Sequence, residues 1–123
     1  MNSEPGSCKL ISICDDDGLR VSRELILRHE GFEVVSIASN AALNDWAQMS
    51  FDIAVICWSV PAERTLQILA ILRGNNPHIS VLRVHASLNR PRPAFAHEFD
   101  IPGNPRALLE AVTNLRGEMR RSA

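Results

Sequence analysis

The chain predicts a three-layer α/β domain with a parallel sheet between helical layers, and three observations carry that expectation. Short apolar runs alternate with amphipathic helical stretches along the sequence, the pattern of successive strand–helix–strand units. The run Ile53 to Cys57 is apolar at every position, as a central strand covered on both faces must be. Turn and cap residues (Asp15-Asp16-Asp17-Gly18, Gly31, Gly74-Asn75-Asn76-Pro77, Asn104-Pro105) fall between these runs rather than inside them.

In order, Leu10 to Cys14 is a short strand that stops at the acidic turn Asp15-Asp16-Asp17-Gly18. A helix follows from about Leu19 to His29, with Gly31 placed as its C-terminal stop. Glu33 to Ile37 is a second strand. Ser39 or Asn40 caps a helix in which Leu43, Trp46 and Ala47 share a face. After the central strand, Leu66, Leu69 and Leu72, with Ile68 and Ile71, form a wide helical stripe. Ile79 to Val84 is a fourth strand. Pro91 and Pro93 break any helix over residues 88–96, and Phe99 to Ile101 is a short fifth strand. Asn104 caps the last helix with Pro105 in its first turn, and Leu108, Val112, Leu115 and Met119 step along one buried stripe. Right-handed crossovers and short connections fit a flavodoxin-like five-stranded parallel sheet of order 2-1-3-4-5, a three-layer sandwich with helices on both faces. The expected division is a flexible N-terminus over residues 1–8, the domain over 9–118 and a C-terminal tail over 119–123.

Composition bounds the function classes. With 123 residues, 46% hydrophobic and 22% charged, the chain suits one ordinary globular core. A net charge of −1 gives no electrostatic reason to expect nucleic acid. The basic residues Arg116, Arg120 and Arg121 read as a solvated helix end. No apolar run reaches membrane-spanning length, and residues 1–7 lack a signal-peptide apolar region. Three cysteines without paired spacing read as reduced thiols, which points to the cytoplasm.

The segments Cys14 to Asp17, His29 to Val34, Phe51 to Pro61, Asn76 to Ala86, Ile101-Pro102 and Pro105 to Val112, in their order and spacing across residues 9–116, resemble the receiver domains of two-component response regulators. Cys14-Asp15-Asp16-Asp17 resembles the family's acidic turn after the first strand, and His29 to Val34 its entry into strand two. Phe51 to Pro61 is similar to the phosphoacceptor strand, and Asn76 to Ala86 to strand four. Ile101-Pro102 stands where the family has lysine-proline, and Pro105 to Val112 keeps the spacing of the last helix.

The departures fall on the chemistry that the resemblance implies. Asp15 and Asp16 are retained, but the phosphoacceptor aspartate is Cys57, the serine or threonine is His85 and the lysine is Ile101. Glu98 holds the switch-aromatic position, or Phe99 if the alignment slips by one, and Thr65 replaces a glycine. Phosphoryl transfer to a carboxylate needs a nucleophile, a divalent cation and positive groups around the phosphoryl oxygens. Cys57 removes the oxygen nucleophile and a hard magnesium ligand, and Ile101 removes the cationic clamp. The resemblance therefore implies a degenerate, pseudo-receiver pocket built from Asp15, Asp16, Cys57, His85 and Ile101.

The residues themselves leave several readings open. Asp15 and Asp16 are a weak magnesium site, or a polar loop in which Asp17 caps the helix. Cys57, His85 and the acidic pair have the residue types of a metal or redox sensor, or of a cysteine nucleophile with its base; otherwise Cys57 is a small buried thiol beside a surface imidazole. Nothing in the sequence supplies an oxyanion hole or substrate pocket, so an enzyme is not expected. A Cys14–Cys57 disulfide across adjacent strands stands against two buried free thiols, and Cys8 is placed near the flexible start. Trp58 at the crevice mouth, with Glu98 and Phe99 on the changed segment, are the candidate partner contacts. The expected function is a stand-alone receiver-like binding module in signal transduction, independent of phosphorylation, with a signalling protein as partner and a homodimer as one option. It requires no cofactor. The alternative is a metal- or redox-responsive sensor using Cys57, His85 and Asp15/Asp16.

Overall fold

The computed structural model describes residues 8–41, 49–85, 98–102 and 104–122. Its elements are β1 (Lys9–Ile13), α1 (Asp17–His29), β2 (Glu33–Ile37), β3 (Ile53–Cys57), α2 (Ala62–Asn75), β4 (Ser80–His85), β5 (Glu98–Pro102) and α3 (Pro105–Ser122). The strands pair in parallel in the order β2-β1-β3-β4-β5. The expected helix around Leu43, Trp46 and Ala47, the proline segment and His97 lie outside the described residues.

Alternation of side chains along the strands sends residues to two separate cores. On one face Leu10, Ile53, Val55, Leu82, Val84 and Ile101 pack with Leu27 of α1 and with Leu108, Val112 and Leu115 of α3. On the other face Ile11, Ile13, Ala54, Ile56 and Val81 meet Ile68, Leu69 and Leu72 of α2. The sandwich with helices on both faces is therefore present.

Local chemistry starts and stops these elements. Asp16 is the N-cap of α1, its carboxylate accepting from Leu19 N at 3.0 Å. The helix thus begins before Leu19, and Asp17, expected as the cap, instead pairs with Arg20 at 2.6 Å on the surface. Gly31 has φ +95°, a left-handed conformation that ends the helix at little cost only for glycine. Asn104 caps α3 through Ala107 N at 2.8 Å, directly before Pro105.

Five expectations need correction. Leu66 is 68% exposed; the buried stripe of α2 is Thr65, Ile68, Leu69 and Leu72, an i, i+3, i+4, i+7 set that turns Leu66 away. Thr65 sits in the first turn of α2, where its hydroxyl donates to the Pro61 carbonyl at 3.1 Å. Cys8 is buried rather than part of a free start, because its carbonyl accepts from Glu33 N and its thiol meets the Met119 sulfur at 3.9 Å. Met119 packs on the core and α3 runs on to Ser122, so the domain does not end at residue 118. Arg116 likewise is not a solvated helix end: its guanidinium lies 4.3 Å from the Phe32 ring centroid and donates to the Glu30 carbonyl at 2.8 Å.

Candidate functional site

The sheet order reverses direction between β1 and β3, and the crevice of such a fold opens at the C-terminal strand ends there. Register then decides which residues meet. Ile13 is paired with Ile56, so Cys14 and Cys57 follow as neighbours on adjacent strands. Cys57 is in turn paired with Val84, one residue before His85, and His85 lies beside Pro102.

Beyond β3 the chain turns tightly, Val60 N donating to the Cys57 carbonyl at 3.1 Å. This brings Ser59 back over β1, where its hydroxyl oxygen accepts from Asp15 N at 3.0 Å and lies 3.6 Å from the Cys14 sulfur. From α1, the buried Arg23 places Nη1 3.9 Å from the same sulfur. Both thiols are free and almost fully buried. Cys57 also forms part of the wall of an open cavity of about 330 Å³, together with Trp58, Pro61, Arg83, Val84 and His85.

The electrostatics of the two thiols are opposite. Cys57 is pulled down to about 5, chiefly by the Cys14 thiol donating to its sulfur, with help from Ser59 and Arg23 against the cost of burial. Cys14 is pushed up by that same contact and by burial. One negative charge on the pair, carried at Cys57, is the consistent description.

The acidic pair is committed elsewhere. Asp15 accepts from Ser39 N and from Ser39 Oγ, both at 2.7 Å, and Arg64 Nη1 donates to that hydroxyl at 3.1 Å. Asp16 caps α1. Among the described residues no three His, Cys, Asp or Glu side chains converge to hold a metal. The joint ligand set expected from Cys57, His85, Asp15 and Asp16 is therefore not assembled, because Ser39 and the helix terminus occupy the carboxylate oxygens. Ile101 is in the apolar core rather than the crevice, packed with Leu108 and Val112. Trp58 is 51% exposed at the crevice edge. Glu98 and Phe99 lie on β5, paired in register with Val81 and Leu82.

Sequence reasoning missed Arg23, Ser59, Ser39 and Arg64. One signal was present for Arg23: it stands four residues before Leu27, on the inward stripe of α1, while Val21 and Leu25 are the exposed residues. Ser59, Ser39 and Arg64 carried no such mark, since their roles depend on chain segments far apart in sequence.

No protein-family profile matches the chain, and no curated protein does either. Solved structures do resemble it. A CheY-like response regulator receiver domain protein from Methanospirillum hungatei is 22% identical, with a TM-score of 0.69 over 95% of this chain and 99% of that one. The chemotaxis response regulator CheY4 of Vibrio cholerae is 18% identical, with a TM-score of 0.70 over 89% of this chain and 98% of its own. A pilus assembly-related protein from Burkholderia pseudomallei is 16% identical, with a TM-score of 0.60 over 95% of each chain. At such identities the likeness is one of fold: the chain has the CheY-like, flavodoxin-type α/β architecture.

Proposed function

We propose that this receiver-fold chain acts in signal transduction of the two-component type as a protein-binding adaptor or regulator, without aspartyl phosphorylation. One observation carries the reading. The position that resembles the phosphoacceptor is a buried thiol, Cys57, and both carboxylates that would flank it are already bonded to Ser39 and to the start of α1. A thiol offers no carboxylate oxygen for an acyl phosphate, and Asp15 would have to give up Ser39 before it could ligate magnesium well. Ile101 adds no cation to the crevice. On this reading the domain is not an enzyme, needs no cofactor and binds magnesium at most weakly through Asp15 and Asp16. Its partner is a signalling protein, met through an exposed surface that includes Trp58, with Glu98 and Phe99 as further candidate contacts and self-association as one form of that contact. It works in the cytoplasm, where its thiols stay reduced.

The test is incubation of the purified protein with acetyl phosphate and magnesium, followed by intact-mass measurement. The expected spectrum carries no phosphoryl adduct, while a receiver with an intact aspartate pocket, run alongside, acquires one. A stable acyl phosphate on this chain would overturn the proposal.

A further inference from the structure

We propose that Cys14 and Cys57, neighbours at the ends of β1 and β3 beneath the buried Arg23 guanidinium, form a redox-active dithiol site that a hydroperoxide closes to an intramolecular disulfide. The inference goes beyond the adaptor reading and stands or falls separately from it.

Geometry comes first. The two cysteines follow the last register pair, Ile13 with Ile56, on neighbouring parallel strands. Parallel neighbours run about 4.8 Å apart, inside the roughly 4.4–6.8 Å Cα separation that a disulfide spans. Alternation along the two strands sends both side chains to one face of the sheet, the face of Leu10 and Val55. The β1–β3 register ends at Ile13 and Ile56, while Cys57 stays paired with Val84 and Cys14 N with the Ile37 carbonyl.

Charge supplies the second argument. Arg23 is 6% exposed on the inward stripe of α1. Among the described residues, the hydrogen-bond partner of its guanidinium is a sulfur, that of Cys14 at 3.9 Å. A buried cation is costly unless an anion accompanies it. The carboxylates that follow Cys14, Asp15 and Asp16, bond to Ser39 and to the α1 terminus. A thiolate on the dithiol is the anion that fits. The Ser59 hydroxyl, whose oxygen already accepts from Asp15 N, has its own hydrogen free to donate to sulfur.

Access is the third. Cys57 is 2% exposed at the strand end, and an open cavity of about 330 Å³ whose wall includes this residue lies beside it. The Cys57 thiolate attacks the O–O bond of a hydroperoxide; an S–O bond forms, the O–O bond breaks, and the departing alkoxide or hydroxide takes a proton from solvent. The Cys14 thiol then attacks the sulfenic sulfur, the S–S bond forms and water leaves with the thiol proton. In sum, two thiols and one hydroperoxide give one disulfide, one alcohol (or water) and one water. The disulfide removes the thiolate, so Arg23 loses its anion, and the crevice floor and α1 must readjust.

The groups around the pair are Arg23 from α1, the Ser59 hydroxyl, and Asp15 and Asp16 of the loop after β1, while Arg83 and His85 alternate to the opposite face of β4. The test uses the wild-type chain. Hydrogen peroxide is added, all remaining thiols are alkylated after denaturation, and peptides are mapped without reduction. A Cys14–Cys57 linked peptide is expected, with Cys8 still alkylated. Iodoacetamide labelling of native Cys57 is expected to change less than about twofold between pH 6 and 8, against about tenfold per pH unit for an ordinary thiol below its pKa. In Cys14→Ser the resolving thiol is gone, and dimedone should trap the sulfenic acid at Cys57. Two free thiols after peroxide, or a Cys57 labelling rate as steep in pH as that of the denatured chain, would overturn the proposal.

Discussion

Cys57 and Arg23 show how one residue changes the meaning of its neighbours. A carboxylate at position 57 would sit close to Asp15 and Asp16 and would call for a cation; a thiolate calls instead for the guanidinium and the Cys14 proton. The result is a pH dependence with a definite sign. In the fold Cys57 is held at about 5, whereas an unfolded thiol loses its proton near about 8.5. Between those values the unfolded chain binds more protons than the folded one, so this contribution to stability grows with pH. It is complete above the unfolded value and lost as pH falls through about 5. Higher still, Cys14 keeps its proton in the fold while the unfolded chain releases it, and the gain reverses. We therefore expect the stability difference between wild type and Cys57→Ser, measured by urea unfolding, to increase from about pH 5 to about pH 8.5. A difference that stays flat over that range would contradict the assigned thiolate.

Elements, in turn, reveal where hydrophobic pattern and structure part company. α1 presents Val21 and Leu25 to solvent and draws Arg23 inward, the reverse of what an amphipathic helix does without a reason. Arg23 turns inward to the Cys14 sulfur, which its guanidinium reaches at 3.9 Å. α3 behaves in the ordinary way: Leu108, Val112 and Leu115 are buried, and Asn104 caps the first turn. These two kinds of contribution should separate cleanly in urea unfolding. Asn104→Ala forfeits one cap, about 1 kcal/mol. Leu108→Ala empties part of the core shared by Val84 and Ile101, at about 2–5 kcal/mol. Equal losses would mean that α3 is held by its terminus rather than by its packed stripe.

At the scale of the whole molecule, the sheet separates two cores and leaves the crevice at one rim, so that edge can be rebuilt without disturbing the packing. Trp58, half exposed at that rim, is the side chain on which the proposed partner contact is tested. Affinity capture from native extract should recover a signalling protein with wild type and Cys57→Ser but lose it with Trp58→Ala; recovery that ignores Trp58 would move the binding surface elsewhere. Much of this architecture was legible beforehand. Period-two and period-3.6 patterns reflect local burial, so Ile53–Cys57 as a fully covered strand, the cap at Asn104 and the stop at Gly31 could be read from neighbours in the chain. Even there the eye overreached at Leu66, since apolar composition does not fix the angle of a stripe. The presence of a cysteine among acidic residues was equally plain. What no local pattern contains is register. Only the β1–β3 pairing sets Cys14 beside Cys57, only the fold of α1 onto that face delivers Arg23, and only the turn after β3 carries Ser59 back to Asp15. The sequence by itself determined the layers and a thiol at position 57, at the end of the central strand. The tertiary structure alone decided what replaced it, because charge and proton sharing act through space over a few ångströms between residues that the chain keeps far apart.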